Sequence, residues 1–192
     1  MEPLILGLLR TRGAAALSAS IRGFLAALSR GFVVREQGMD DVRLRPATLD
    51  DIDALYRIHR AALGPYVEQT WGWDEEWQAG HFREHFDVSV RQVIEYRGHV
   101  IGFLDVIEEE GRTLLASIRI TPEFQRRGIG TSLIRGVLHG AASRGVPVVL
   151  RALRINPARS LYERLGFETI GTSDTHYTME AHPVRRGSSG TP

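Results

Sequence analysis

Apolar and polar positions first fall into a regular order at residue 42. Val42, Arg43, Leu44 and Arg45 alternate as in a half-buried strand, and Thr48 followed by Asp51 predicts a capping box that opens a helix running to about Leu63. Asp50, Asp51 and Asp53 in its first turn, with Arg57 and Arg60 in its last, complement the helix dipole. Gly64-Pro65 predicts a break, followed by a second helical region to about Phe86. Three strands are expected over 92–96, 100–107 and 113–121, joined at Arg97-Gly98 and Glu110-Gly111. Gly-containing turns this short imply antiparallel hairpins. A helix over 128–143 shows Leu133, Ile134, Val137, Leu138 and Ala141 on one face; a strand over 148–153, a helix over 157–165 and strands over 167–170 and 177–180 close the chain. The expected order is β-α-α-β-β-β-α-β-α-β-β, an α/β class with an α+β mixed sheet.

That pattern occupies one domain, residues 39–183, with a non-core extension over 1–38 and a tail over 184–192 expected to be disordered. The extension carries Arg10, Arg12, Arg22, Arg30 and Arg35 against only Glu2 and Glu36. Three readings of it stand side by side. It has the Arg-rich, acid-poor character of a targeting segment; it is an upstream stretch before a start at Met39; or it is an amphipathic helix using Leu17, Ile21, Phe24, Leu25 and Leu28.

Composition changes the picture mainly by exclusion. With 43% hydrophobic residues, 24% charged and a net charge of +1, the chain has no field suited to nucleic acid or an anionic membrane, and a cytoplasmic location is expected. It holds no cysteine, so there is no disulfide framework, no thiolate zinc site and no acyl-cysteine intermediate. Every basic side chain other than histidine is Arg, and a Walker A loop needs its Lys.

Two motifs carry candidate chemistry. In the first, Gln125, Arg126, Arg127, Gly128, Ile129, Gly130 and Thr131 lie between an apolar strand and an amphipathic helix. Free main-chain N–H groups at a helix N-terminus, glycines that admit close approach and two adjacent Arg make a pyrophosphate site. The same glycines also suit a tight strand-to-helix turn, and the spacing is not a dinucleotide fingerprint because a third Gly is missing. The second motif runs over 156–167, where Asn156 fits an N-cap, Pro157 N1 and Gly166 C′. On spacing alone, Tyr162 is a core residue beside Leu161 and Leu165.

Taken together over residues 42–181, the two motifs resemble the GNAT superfamily of N-acetyltransferases. The family's donor loop, Gln/Arg-x-x-Gly-x-Gly/Ala, falls on Gln125, Gly128 and Gly130, and its Asn-x-x-Ala-x-x-x-Tyr helix is similar to Asn156 through Tyr162. The departure is Arg159 and Ser160 where the family's Ala stands. The resemblance implies a GNAT-like fold whose fourth and fifth strands splay apart to admit the pantetheine arm of acetyl-coenzyme A, used as co-substrate without a metal. It further implies pantetheine contacts from the main chain of Ile118, Arg119 and Ile120. Pyrophosphate contacts would come from Arg126, Arg127, Gly128, Ile129, Gly130 and Thr131, with Asn156 and Arg159 also at the cofactor. Tyr162 would stand at the sulfur as general acid, a role typically worth about 10²- to 10⁴-fold. With no cysteine, direct attack in a ternary complex is expected.

The acceptor is expected to be a primary amine of a small molecule or peptide. Trp71, Trp73 and Trp77 cluster with Tyr66, Phe82 and Phe86, and Trp73, Trp77, His81 and His85 step by four. Tyr66, Trp71, Trp73, Glu75 and Glu108 are the candidate acceptor residues, through cation-π contact or acidic attraction; core packing and solvation explain them equally. Base candidates are Glu75, His81, His85, Glu95, Asp105 and Glu108, beside a water chain. A homodimer is compatible with the pattern. Two alternatives remain: a non-catalytic acyl-coenzyme A binding domain, and a metallohydrolase, because residues 81–85 fit H-x-x-E-H.

Overall fold

A computed structural model describes residues 41–183; the readings of 1–38 and of the tail 184–192 lie outside the described residues. Seven strands form one sheet in the order β1-β2-β3-β4-β5-β7-β6. They are β1 (Val42–Pro46), β2 (Arg91–Tyr96), β3 (His99–Glu109), β4 (Arg112–Ile120), β5 (Val148–Leu153), β6 (Glu168–Thr172) and β7 (His176–Ala181). All neighbours are antiparallel except β4 and β5, which are parallel. The helices are α1 (Ile52–Trp71), α2 (Glu75–Glu84), α3 (Ile129–Ser143) and α4 (Arg159–Arg164). The expected element order and mixed sheet are observed.

Two boundaries differ. The first helix does not stop at Gly64-Pro65 but continues through Pro65 to Trp71. Proline inside a helix costs about 3 kcal/mol, and burial answers it: Leu63 and Val67 on either side pack with Leu153, Tyr66 and Trp73. The second helical region is therefore the tail of α1, a break at Gly72-Trp73 and a short α2 capped by Asp74, whose carboxylate accepts from Trp77 N at 3.0 Å. Trp73 precedes that helix and does not share the face on which Trp77, His81 and His85 stack.

The capping box forms within a short 3-10 turn ahead of α1. Asp51 accepts from Thr48 N at 2.8 Å and from Arg45 at 2.7 and 2.8 Å, and these bonds, Arg45's foremost, hold its carboxyl down at about 2.

One sheet face packs Ile94, Leu104, Leu115 and Ile120 against Leu133, Ile134 and Val137 of α3, together with Tyr162 and Phe167. The other packs Val93 and Phe103 against Leu55 and Ile58 of α1 and Phe82 of α2. Each of these fully buried side chains contributes about 1.5–3 kcal/mol.

Candidate active site

Parallel pairing between β4 and β5 lasts for three positions only: Thr113 with Val148, Leu114 with Val149 and Leu115 with Leu150. Beyond them the strands part, leaving the β4 edge from Ala116 to Ile120 open toward β5. Thr121 N donates to Ile101 O at 2.8 Å on the β3 side, so alternation turns the main-chain groups of Ile120 and Ile118 into the opening. Both carbonyls there are held by side chains: Ile118 O by Arg119 Nη1 at 2.9 Å and Ile120 O by Gln125 Nε2 at 2.8 Å. Gln125 thus ties the following loop to the strand end.

That loop places Arg126 at φ +59° and Gly128 at φ +82° before α3 begins. A non-glycine residue in this region costs about 1–2 kcal/mol, and such strain persists where the surroundings hold it. Ser132 N makes the first intrahelical bond, to Gly128 O at 3.0 Å. The N–H groups of Ile129, Gly130 and Thr131 have no partner within the helix and lie at its positive end. Arg126 and Arg127 are exposed beside them, Arg127 over the Phe124 ring at 5.0 Å. Gly128 is required by its φ. Gly130 is not required by the protein's own packing, since a Cβ there would meet Ile120 Cδ1 at 3.6 Å, an ordinary contact.

The stretch from Asn156 to Tyr162 is one residue shorter than the pattern it resembles, and α4 opens late, at Arg159 rather than Pro157. Asn156 Oδ1 accepts from Ala158 N at 2.9 Å, a turn ahead of the helix rather than a cap on it. The C-terminus closes as a Schellman motif: Gly166 N, at φ +88°, donates to Glu163 O, and Phe167 N donates to Tyr162 O. The accompanying contact is the Phe167 ring edge-on to Tyr162 at 5.9 Å. This motif locks Tyr162, which is buried with no hydrogen-bond partner to its hydroxyl among the described residues. Burial raises its pKa above the usual phenol range, and the Arg119 charge opposes part of that rise. Arg159 bonds Glu163 at 2.7 Å and lies over the Tyr177 ring at 4.1 Å, so its side chain is engaged locally.

On the side facing α1 and α2, the predicted acceptor residues divide. Glu75 accepts from Tyr56 and from Trp73 Nε1, each at 2.8 Å, and pairs with Arg60 at 2.9 Å; it clamps α1 to α2. Tyr66 and Trp73 are half-buried together, and Trp71 is exposed and stacked near His176. Glu108 does not join them. It is buried at the closed end of the β4–β5 opening, where it pairs with Arg144 at 3.3 Å. Glu95 pairs with Arg45 at 2.7 Å. Asp105 takes a bidentate bond from Arg91 at 2.9 and 2.7 Å.

Two side chains at this place were not anticipated. His59 lies against Phe82 at 5.2 Å and near Trp73 at 6.2 Å, and its pKa falls to about 3, through burial first and then the charges of Arg119, Arg91 and His81. The signal was available: His59 stands four residues from both Leu55 and Leu63 on the apolar stripe. The Arg119 side chain was also missed, because only its main chain entered the reading.

The H-x-x-E-H stretch does bring ligand atoms of His81, Glu84 and His85 within 4.8 Å of one another. His81 and Glu84 lie on α2 and His85 caps its end, and His85 Nδ1 is engaged with His81 O at 2.9 Å. No helix among the described residues is long and apolar enough to cross a membrane.

Comparison with known proteins agrees with this fold. A family model described as the acetyltransferase (GNAT) family matches residues 52–167. The chain is 26% identical over 135 residues to the ribosomal protein bS18-alanine N-acetyltransferase of Salmonella typhimurium, covering 69% of this chain and 85% of that one. It is 27% identical over 150 residues to an N-alpha-acetyltransferase of Sulfurisphaera tokodaii, covering 71% and 86%. Among solved structures, the PaiA N-acetyltransferase of Thermoplasma acidophilum, in complex with coenzyme A, shares the fold with TM-score 0.62 at 18% identity, over 73% of this chain and 98% of that one.

Proposed function

This chain belongs to the GNAT family of acetyltransferases and is an N-acetyltransferase; on that premise we propose that it moves an acetyl group from acetyl-coenzyme A to a primary amine, with Tyr162 as general acid. The observation that carries the reading is the pairing of the left-handed Gly128 loop and its unpartnered N–H groups with the opening between β4 and β5, at whose β4 end Ile120 shares a core cluster with the buried Tyr162. Bound there, acetyl-coenzyme A supplies a thioester. The N–H groups of Ile129, Gly130 and Thr131, with Arg126 and Arg127, hold its pyrophosphate. Tyr162, a phenol protonated at neutral pH whose pKa burial raises further, offers its O–H to the sulfur that leaves. Attack is direct, because the chain has no cysteine to carry the acyl group. Glu75, Glu95, Asp105 and Glu108 are all engaged with other side chains, His59 is held neutral by burial, and His81 and His85 stack with Trp77 on the exposed side of α2, so the amine's proton leaves to bulk solvent along a chain of waters. The relatives are named for acetylating a ribosomal-protein alanine or α-amines, and the acceptor here is of that kind, the amine of a peptide or small molecule.

Calorimetric titration of the full chain with acetyl-coenzyme A, joined to a thiol-release assay, tests this. Gly128→Glu is expected to abolish donor binding. Tyr162→Phe is expected to keep it while lowering kcat about 10²- to 10⁴-fold. Unchanged kcat in Tyr162→Phe would remove the general-acid role, binding without turnover on any amine would leave a non-catalytic binding domain, and no donor binding by the wild type would sink the reading.

A further inference from the structure

The sheet face under α1 and α2 carries an unbalanced charge. Cross-strand register sets Arg91 of β2 opposite Asp105 of β3, and Phe103 of β3 opposite Arg119 of β4. Residues two apart on a strand and partners directly across it share a face, so Arg91, Phe103, Asp105 and Arg119 project together. Arg91 and Asp105 cancel through their bidentate pair. Arg119 has no such partner. Its Nη1 donates to Ile118 O, its Nε is shielded from solvent with nothing to bond, and among the described residues no carboxylate forms an ion pair with it.

Its surroundings do not supply the missing charge. Asp105, the acid on the same face, is engaged by Arg91 through both oxygens, and His59 and Tyr162 are neutral at physiological pH. Arg119 is half-buried with its Nε shut off from solvent, and a cation so placed without a counter-ion is costly to leave unpaired. This one stands on the strand edge that opens toward β5, where donor and acceptor must meet.

We propose that Arg119 is a specificity-determining residue, and that the acceptor carries a carboxylate that pairs with its guanidinium while the amine is presented to the opening between β4 and β5. The inference rests on the acetyltransferase reading and names the class of its acceptor: an amine with a nearby carboxylate, whether a free amino acid or a peptide with an acidic side chain beside its N-terminus. By neutralising the acceptor's own carboxylate, whose negative charge would favour the ammonium form, the same cation helps the acceptor meet the thioester as the neutral base that can attack.

The test uses the full chain at saturating acetyl-coenzyme A, with acceptors paired so that members differ only in the carboxylate: amino acids against their carboxamides, and short peptides with Glu against Gln as second residue. A charge-assisted bond is worth about 1.5–3 kcal/mol, so kcat/KM should favour the carboxylate member about 10- to 100-fold, chiefly through KM. Which arm shows the preference tells free amino acid from peptide. The preference should collapse to within about threefold in Arg119→Met and return in part in Arg119→Lys. Because a ratio within each pair is read, general loss of activity or fold cancels. No preference in the wild type, or one that survives in Arg119→Met, overturns the proposal. If no amine turns over, calorimetry separates the two ideas. Absent donor binding counts against the acetyltransferase reading, whereas the same panel titrated alone still reads Arg119. Carboxylates bound by wild type and not by Arg119→Met support it; equal binding overturns it.

Discussion

The two sides of the opening between β4 and β5 are built of different material. The proposed donor side is mostly main chain: a left-handed Gly128, three N–H groups at the start of α3, and the β4 edge where pairing ends. The proposed acceptor side is side chains drawn from α1, β2, β3 and β4, with Arg91, Asp105, Arg119 and His59 crowded onto one face. A site made of main chain is specified by a short segment and fails locally when altered. A site made of gathered side chains is also part of the core, so changes in it reach stability and selectivity together.

The largest effect is therefore expected on the acceptor side. Asp105→Asn leaves the Arg91 guanidinium without its carboxylate beneath Phe82, Phe86 and Phe103, whose ring centres lie 4.9, 4.7 and 4.6 Å away. Breaking a buried pair by removing one partner costs about 3–5 kcal/mol, whereas removing both is often near neutral. Chemical unfolding should show that loss for Asp105→Asn and recovery of much of it in Arg91→Met/Asp105→Asn. A single-variant loss under about 1 kcal/mol would mean that the pair does not hold this face.

Gly102 lies where both sides share a strand. A Cβ at this position would stand 2.2 Å from Arg119 O, so β3 and β4 could not keep their spacing. Gly102→Ala should cost about 2–3 kcal/mol as overpacking, lowering Tm by roughly 4–12 °C in a chain of this size. Unchanged Tm would show that the two strands yield more easily than their register suggests.

The same division explains what could be read from residues alone. The strand at β5, the hairpins around Gly98 and Gly111, the loop at Gly128 and the stop at Gly166 each rest on a local requirement, a turn or a positive φ, which leaves its mark within a few positions. The continuation of α1 through Pro65 did not, because the contacts of Leu63 and Val67 with Leu153 that outweigh the proline come from far along the chain. Glu75 and Glu108 were legible as acids near aromatics or in an acidic turn, but not as the Tyr56–Trp73–Arg60 clamp and the Arg144 partner they become. Arg119 entered the sequence reading through its main chain alone, and its side chain gains a setting only when the register sets it opposite Phe103.

On the donor side a smaller and more contained effect is expected. Gly128 has nothing within 4 Å of a would-be Cβ, so Gly128→Ala meets no clash and suffers only the conformational cost of φ +82°. That cost is about 1–2 kcal/mol. If the loop must hold this shape to bind, donor affinity falls roughly 5- to 30-fold while the kcat/KM ratio between paired acceptors stays put. A shift in that ratio would mean that the two sides are not separable.

The smallest effect concerns pH and returns to the acceptor side. His59 is held at about 3 by burial and, after it, by Arg119, Arg91 and His81, whereas an unfolded histidine titrates near 6.5. Below pH 6.5 the unfolded chain takes up a proton that the folded chain refuses until about pH 3. The stability that depends on neutral His59 is therefore complete above pH 6.5 and drains as pH falls through that window, by at most one proton's slope, about 1.4 kcal/mol per pH unit. His176, lowered to about 4 by burial and Arg151, drains stability over an overlapping range, so the reading must be a difference between variants. His59→Phe keeps a ring among Tyr56, Trp73 and Phe82 and removes the titration. Its stability should fall less steeply than that of the wild type between pH 6.5 and 4, and Arg119→Met, which removes one of the charges, should lie between the two. Parallel curves for wild type and His59→Phe would show that His59 takes its proton in the folded state, which would add a second cation beside Arg119 and make that face more selective for anions at acid pH.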